Sequence, residues 1–242
     1  EMCIRDRYNV PLVLELSGTL NKLALYQALR EIIHRHEPLR TTISAVRGNP
    51  FQNISDMPEP AFSVIDLETS VDTKEQPSDG HLYAYPEVFA EIQREVQGLF
   101  DLSAGPLLRV RLLRVHADYH VLILTMHHAI IDIWSLNILA EELGALYMAF
   151  NAGHSSPLPA LTVCYRDFAG WQREHQTPRF ASDLTYWKEY FAPLPPTLTL
   201  PLDYPRPVVQ TLAVNTLCFQ ISQTLTQQLQ VHSQQEGVTL FT

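Results

Sequence analysis

The sequence predicts an α/β layered fold, in which strands and amphipathic helices cover one another's apolar faces. Residues 119–126 are almost wholly apolar, as a central strand covered on both sides would be. Val10, Leu12, Leu14 and Leu16 recur with the period of a half-buried strand, and Leu108, Val110 and Leu112 do the same opposite Arg109 and Arg111. Leu25, Ala28, Leu29, Ile32 and Ile33 recur instead at helical spacing.

Along the chain, residues 1–7 have no periodicity and resemble translated adapter sequence, so a non-native leader is expected there. The first strand begins near Val10 and turns at Ser17-Gly18. Asn21 can cap the first helix, with Leu20 and Leu25 spaced as a hydrophobic staple. That helix should end at about residues 34–36. Weak strand signals follow at 51–54 and 62–65. Pro86 suits the first turn of a second helix, whose face would be Val88, Phe89, Ile92 and Val96. Strands are expected at 107–115 and 119–126, separated by a turn at Ala117-Asp118. A third helix over 135–150 would bury Leu136, Leu139, Leu143, Leu146 and Tyr147, with Gly153 stopping it. Six prolines within 193–207 predict an extended crossing segment. A strand at 217–221 and a helix from Leu225 come last. The pattern stops in mid-course at Thr242, which suggests a fragment.

The chain has 242 residues, 46% of them apolar and 18% charged, enough to bury a core and too apolar for overall disorder. Its 17 Lys and Arg against 26 Asp and Glu give a net charge of −9, which disfavours a phosphate-backbone partner. Neither G-x-x-x-x-G-K nor G-x-G-x-x-G occurs. Cys3, Cys164 and Cys218 are odd in number and far apart, so no disulfide framework or zinc knuckle is indicated. No apolar run approaches the ~18 residues of a membrane span, and 1–7 contains no secretory h-region. A soluble, cytoplasmic protein with no nucleic-acid or membrane partner is the expectation.

The residues best placed for chemistry are His127 and His128, which follow the central strand, and Asp132, four residues on. Adjacent side chains on an extended backbone point to opposite sides. Spacing alone leaves two readings open: two hydrogen-bonded structural histidines, or one inward histidine and one facing a channel. Two adjacent histidines cannot easily reach one ion, so no metal is expected. Acyl transfer through Ser-His-Asp is disfavoured because no G-x-S-x-G elbow exists.

The run Met126-His127-His128-Ala129-Ile130-Ile131-Asp132-Ile133-Trp134-Ser135 resembles the H-H-x-x-x-D-G signature of nonribosomal peptide synthetase condensation domains, members of the chloramphenicol acetyltransferase-like superfamily. Arg35-His36-Glu37-Pro38-Leu39-Arg40-Thr41 resembles the family's R-H-E-x-L-R-T motif. Phe100-Asp101-Leu102 with Gly105-Pro106-Leu107-Leu108-Arg109 resembles its F-D-L-x-x-G-P-L-L-R segment. Tyr165-Arg166-Asp167-Phe168-Ala169 with Trp171-Gln172, then Tyr186-Trp187 and Leu200-Pro201-Leu202-Asp203, continue the order. The chain departs from the pattern at Ile133, where the family has glycine, and at Ile131, often serine.

The resemblance implies a two-lobed sandwich, with residues 8–192 as the N-terminal lobe, 193–214 crossing and 215–242 beginning a second lobe. It implies amide formation between thioesters carried on the 4'-phosphopantetheine arms of upstream and downstream acyl or peptidyl carrier proteins. An adjoining adenylation domain would be a further partner, and no cofactor would be bound. His128 would be catalytic in the channel and His127 structural. Asp132 would pair with Arg40, with Arg35 behind it, and Trp134 would be core. Tyr165, Asp167 and Trp171 would hold the lobe together. Residues 8–242 alone would be inactive. An epimerization domain of the same fold places Ser before Trp, whereas here Trp134 precedes Ser135. A free-standing acyltransferase of the same fold and a silent carrier-docking module stay open as well.

Overall fold

The computed structural model describes residues 8–56, 58–67, 85–192, 194, 201–205, 219 and 221–242. The expected leader at 1–7, most of the Pro-rich 193–214 segment and most of the expected 217–221 strand lie outside them.

β1 (Asn9–Ser17) leads into α1 (Lys22–Arg35), whose first turn is capped by the Asn21 side chain accepting the Ala24 N–H at 3.1 Å. A 3-10 turn (Glu37–Arg40) then opens a hairpin of β2 (Thr41–Val46) and β3 (Asn49–Ile54). The strand β2 carries no clear alternation, and the sequence pattern does not predict it. β4 (Phe62–Asp66), α2 (Pro86–Gln97), β5 (Leu108–His116), β6 (Tyr119–His127) and α3 (Ile133–Asn151) follow.

The main sheet has the order β1-β6-β5-β4. Its β1–β6 and β6–β5 pairs are antiparallel and its β5–β4 pair is parallel. β6 is interior to the sheet and buried from His120 to His127, in keeping with its apolar run. On one face, Leu108, Val110 and Leu112 of β5 join Leu122, Leu124 and Met126 of β6. These pack under α1 (Leu25, Ala28, Leu29, Ile32) and α3 (Leu139, Leu143, Leu146). On the other face, Leu113, Val115, Val121 and Ile123 meet Val88 and Ile92 of α2.

The face of α2 differs from the expected one. Phe89 is exposed, and Glu91 and Glu95 are buried with Val88 and Ile92. The reason lies across the interface: Arg109 and Arg111 of β5 turn towards α2. Arg109 Nε meets Glu95 Oε1 at 2.7 Å, Arg111 pairs with the other Glu95 oxygen, and Arg111 Nη1 lies 3.4 Å from Glu91 Oε2. Charge neutralisation makes burying these carboxylates tolerable where an isolated charge would not be.

α4 (Tyr165–Tyr190) starts at Cys164, whose N–H donates to the Asp167 carboxylate at 2.9 Å. Tyr165 and Trp171 are half exposed on it, so they do not serve as core pins; Asp167 acts by capping. Residues 199–242 form a separate compact unit, where Ser222 Oγ caps α5 (Gln223–Gln235) by accepting the Leu225 N–H at 3.3 Å.

Candidate active site at the end of the central strand

The register pairs Asn9 with His127, the last residue of β6, so the two histidines leave the sheet at the end of its interior strand. Strand alternation sends them apart. The His127 side chain is only 8% exposed, with Phe100 edge-on at 6.2 Å between ring centroids and Tyr8 at 6.1 Å. Its Nδ1 accepts the N–H of Ala129 at 3.0 Å, and its carbonyl accepts the N–H of Ile130 at 3.0 Å. Burial, and secondarily the neighbouring His128, hold its pKa below the ordinary imidazole value. An Nδ1 that accepts a hydrogen bond belongs to a neutral ring carrying its proton on Nε2.

His128 donates its backbone N–H to the Tyr8 carbonyl at 2.6 Å and leaves its imidazole exposed. It lines an open cleft of about 330 Å³ together with Asp132, Ser135, Thr41, Tyr165 and Arg166. The strand end therefore supplies a hydrogen-bonded main chain and one exposed imidazole lining the cleft.

Asp132 does not pair with Arg40. Its Oδ1 accepts the backbone N–H of Ser135 at 2.8 Å and the Ser135 hydroxyl at 2.5 Å, so it is the N-cap of α3. The Ser135 hydroxyl bond, followed by the Ser135 N–H, holds its carboxyl below the usual range. A cap aspartate three residues before a serine meets its needs locally, which leaves the distant arginines to other partners. Arg40 donates to the Ser55 carbonyl and lies 4.0 Å from Glu37. Arg35 bonds Glu142 of α3 at 3.2 Å and the Pro159 carbonyl at 2.6 Å, tying α1 to α3. His36 joins the same Glu142 at 2.6 Å.

Trp134 is not core; it is 77% exposed. It lies five residues before Leu139, roughly 140° around the helix from the buried stripe. Ile133 stands in ordinary helical backbone, and among the described residues Arg47 alone of the non-glycines has positive φ. The backbone here therefore does not demand the missing glycine.

Glu37, to which the sequence pattern assigns no role, is 7% exposed in the cleft wall and faces Arg166 Nη2 at 3.6 Å. The available signal was a Glu-Pro step directly after a helix end. Among the described residues no group of three or more His, Cys, Asp or Glu is placed to hold a metal, and no helix is long and apolar enough to cross a membrane.

Solved structures share this fold. The X-domain from teicoplanin biosynthesis superposes with a TM-score of 0.71 at 24% identity, over 96% of this chain and 49% of that one. The starter condensation domain of rhizomide synthetase gives 0.67 at 21% identity, over 79% and 44%. The fold is thus of the chloramphenicol acetyltransferase-like class.

The condensation domain family model matches residues 5–242. Chondramide synthase of Chondromyces crocatus is 40% identical over 239 residues, 97% of this chain and 6% of that protein. Malpinin synthetase of Mortierella alpina is 34% identical over 241 residues, 98% of this chain and 3% of that protein. The chain belongs to the condensation domain family of nonribosomal peptide synthetases, whose general function is amide-bond formation. It spans a few per cent of these synthetases and about half of the solved X-domain chain.

Proposed function

We propose that the cleft is a condensing site in which His128 serves the amine that forms the new amide. The observation that carries this reading is the division of the histidine pair: His127 is locked by burial and the Ala129 N–H, and His128 is presented to the cleft. The acceptor amine attacks the donor thioester carbonyl, forming the C–N bond and a tetrahedral oxyanion. Collapse breaks the C–S bond. The amine proton passes to the His128 imidazole and from it to the departing thiolate. Holding both thioesters on carrier-protein phosphopantetheine arms raises their effective concentration and removes much of the orientational cost. Upstream and downstream carrier domains are the partners, with an adjoining adenylation domain supplying the acceptor.

Within this reading residues 8–192 are a first lobe, 193–214 a crossing segment and 215–242 the start of a second; the separate compactness of 199–242 supports the division. The test is single turnover by the complete synthetase carrying His128→Ala, with both carriers loaded. Loss of product at an unchanged melting temperature is expected. Near-normal turnover would overturn the role of His128.

A further inference from the structure

Behind the buried histidine lies a stack of side chains that the reaction does not touch. Arg109 is anchored at five points: Nε on Glu95 Oε1 at 2.7 Å, Nη1 on the Leu99 carbonyl at 3.0 Å, and Nη2 on the carbonyls of Glu95 at 3.2 Å and Gly98 at 2.9 Å, with its guanidinium carbon 3.8 Å above the Phe100 ring centroid. Close approach is built into the backbone: a Cβ on Gly98 would stand 2.7 Å from Arg109 Nη2. Asn9, opposite His127 in the sheet, ties down the same segment by donating to the Val96 and Gly98 carbonyls at 2.6 and 2.8 Å. Phe100 in turn presents its ring at 89° to that of His127. An edge-to-face contact at this separation fixes the orientation of both rings. The orientation of His127 decides whether its Nδ1 meets the Ala129 N–H, and that bond sets the turn carrying His128.

We infer that Arg109 and Phe100 are positioning residues, which hold His128 in register with the cleft through the His127 ring. The inference rests on the reading of His128 as the group that serves the amine. Arg109 supplies a flat, immobile ceiling for Phe100 by cation–π contact, and Glu95 keeps the guanidinium plane from turning. A lysine would keep the charge but not the plane or the fork of donors.

The test is single turnover by the complete synthetase with both carriers loaded, at a temperature well below melting. Phe100→Leu keeps an apolar side chain and removes both ring contacts; Arg109→Lys keeps the charge beside Glu95. Each should slow the step about 10–100-fold, the cost of a small misplacement, with the half-saturating concentration of acceptor carrier unchanged. The double variant should lose no more than the worse single, because coupled groups are non-additive. Val121→Ala, buried under α2 in a cluster separate from Phe100, should lower the melting temperature and leave the rate alone. If Phe100→Leu fails to fold, Arg109→Lys and its pairing with Val121→Ala still decide. Unaltered rates in the Phe100 and Arg109 variants, or additive losses, would overturn the inference. With His128→Ala inactive in the same assay, that outcome would leave the functional reading standing; with His128→Ala active, the functional reading itself would go.

Discussion

The two faces of the four-stranded sheet are built on different principles. Under α1 and α3 the contact is mainly hydrocarbon, from Leu25 and Leu29 to Leu122, Leu124 and Leu146, with polar pairs such as Arg35–Glu142 at its margin. Under α2 a small apolar patch around Val88 and Ile123 is flanked by Glu91, Glu95, Arg109 and Arg111. The apolar face tolerates loss of a methylene in proportion to the cavity left behind. The ionic face is conditional: it is stable only while every charge keeps its partner. It is also the face that backs His127, and so the face on which site geometry depends.

The sharpest way to break this comparison is to orphan the charges. Glu95, 2% exposed, is shared by two arginines. Glu95→Ala should therefore cost about 3–5 kcal/mol. On the other face Leu124→Ala should cost about 2–5 kcal/mol, by cavity formation. Denaturant melts of both variants check the pair. The distinguishing outcome is rescue: also replacing Arg109 and Arg111 with Met should restore much of the Glu95→Ala loss, and no charge change should restore Leu124→Ala. Absence of rescue would mean that the ionic face is not held by pairing.

A smaller effect is read by pH and touches both faces, since His120 alternates with Leu122 and Leu124 on β6 and His127 with Ile123. His127 and His120 are buried, and burial is the chief cause that depresses both pKa values. Between those lowered values and the unfolded value of about 6.5, the unfolded chain binds more protons, so stability rises with pH across the window. It should be fully present above about pH 6.5 and decline as the solution is acidified below it. Melting temperature against pH reads this directly. His120→Leu should flatten the slope, and an unchanged slope would show that His120 is not buried neutral.

Smallest are the helix caps. Asn21→Ala removes the acceptor for the Ala24 N–H and should cost about 1 kcal/mol. Asp132→Ala should give a modest fall in melting temperature, far short of that from Glu95→Ala, because Asp132 is an exposed cap and not the partner of a buried arginine. A collapse comparable to Glu95→Ala would restore the bracing role that the geometry denies it.

Legibility followed the same divide. Period-two and period-3.6 spacing locates β1, α1, β5 and α3, and an almost unbroken apolar run locates β6, because hydrocarbon burial is what writes those patterns. Pro86 places the helix α2, and the spacing of its apolar residues finds Val88, Ile92 and Val96 on the inner face but errs at Phe89 and misses Glu91 and Glu95. A rule that counts apolar residues puts Phe89 inside, and cannot know that Arg109 and Arg111, on the next strand, draw Glu91 and Glu95 inward. The strand alternation does foretell that His127 and His128 diverge. The expected Asp132–Arg40 pair does not form because a local donor, Ser135, competes more cheaply than any distant arginine. Residue type alone assigns Trp134 to the core, whereas its angle around α3 faces it outward.

Whether the two adjacent histidines divide structure from chemistry is read by one paired measurement. His127→Ala and His128→Ala are each followed by melting temperature and by single-turnover amide formation in the complete synthetase. His127→Ala should lower the melting temperature and the rate together, while His128→Ala should leave the melting temperature in place and abolish product. Equal melting losses in the two variants, or a His128→Ala protein that still forms the amide, would contradict that division.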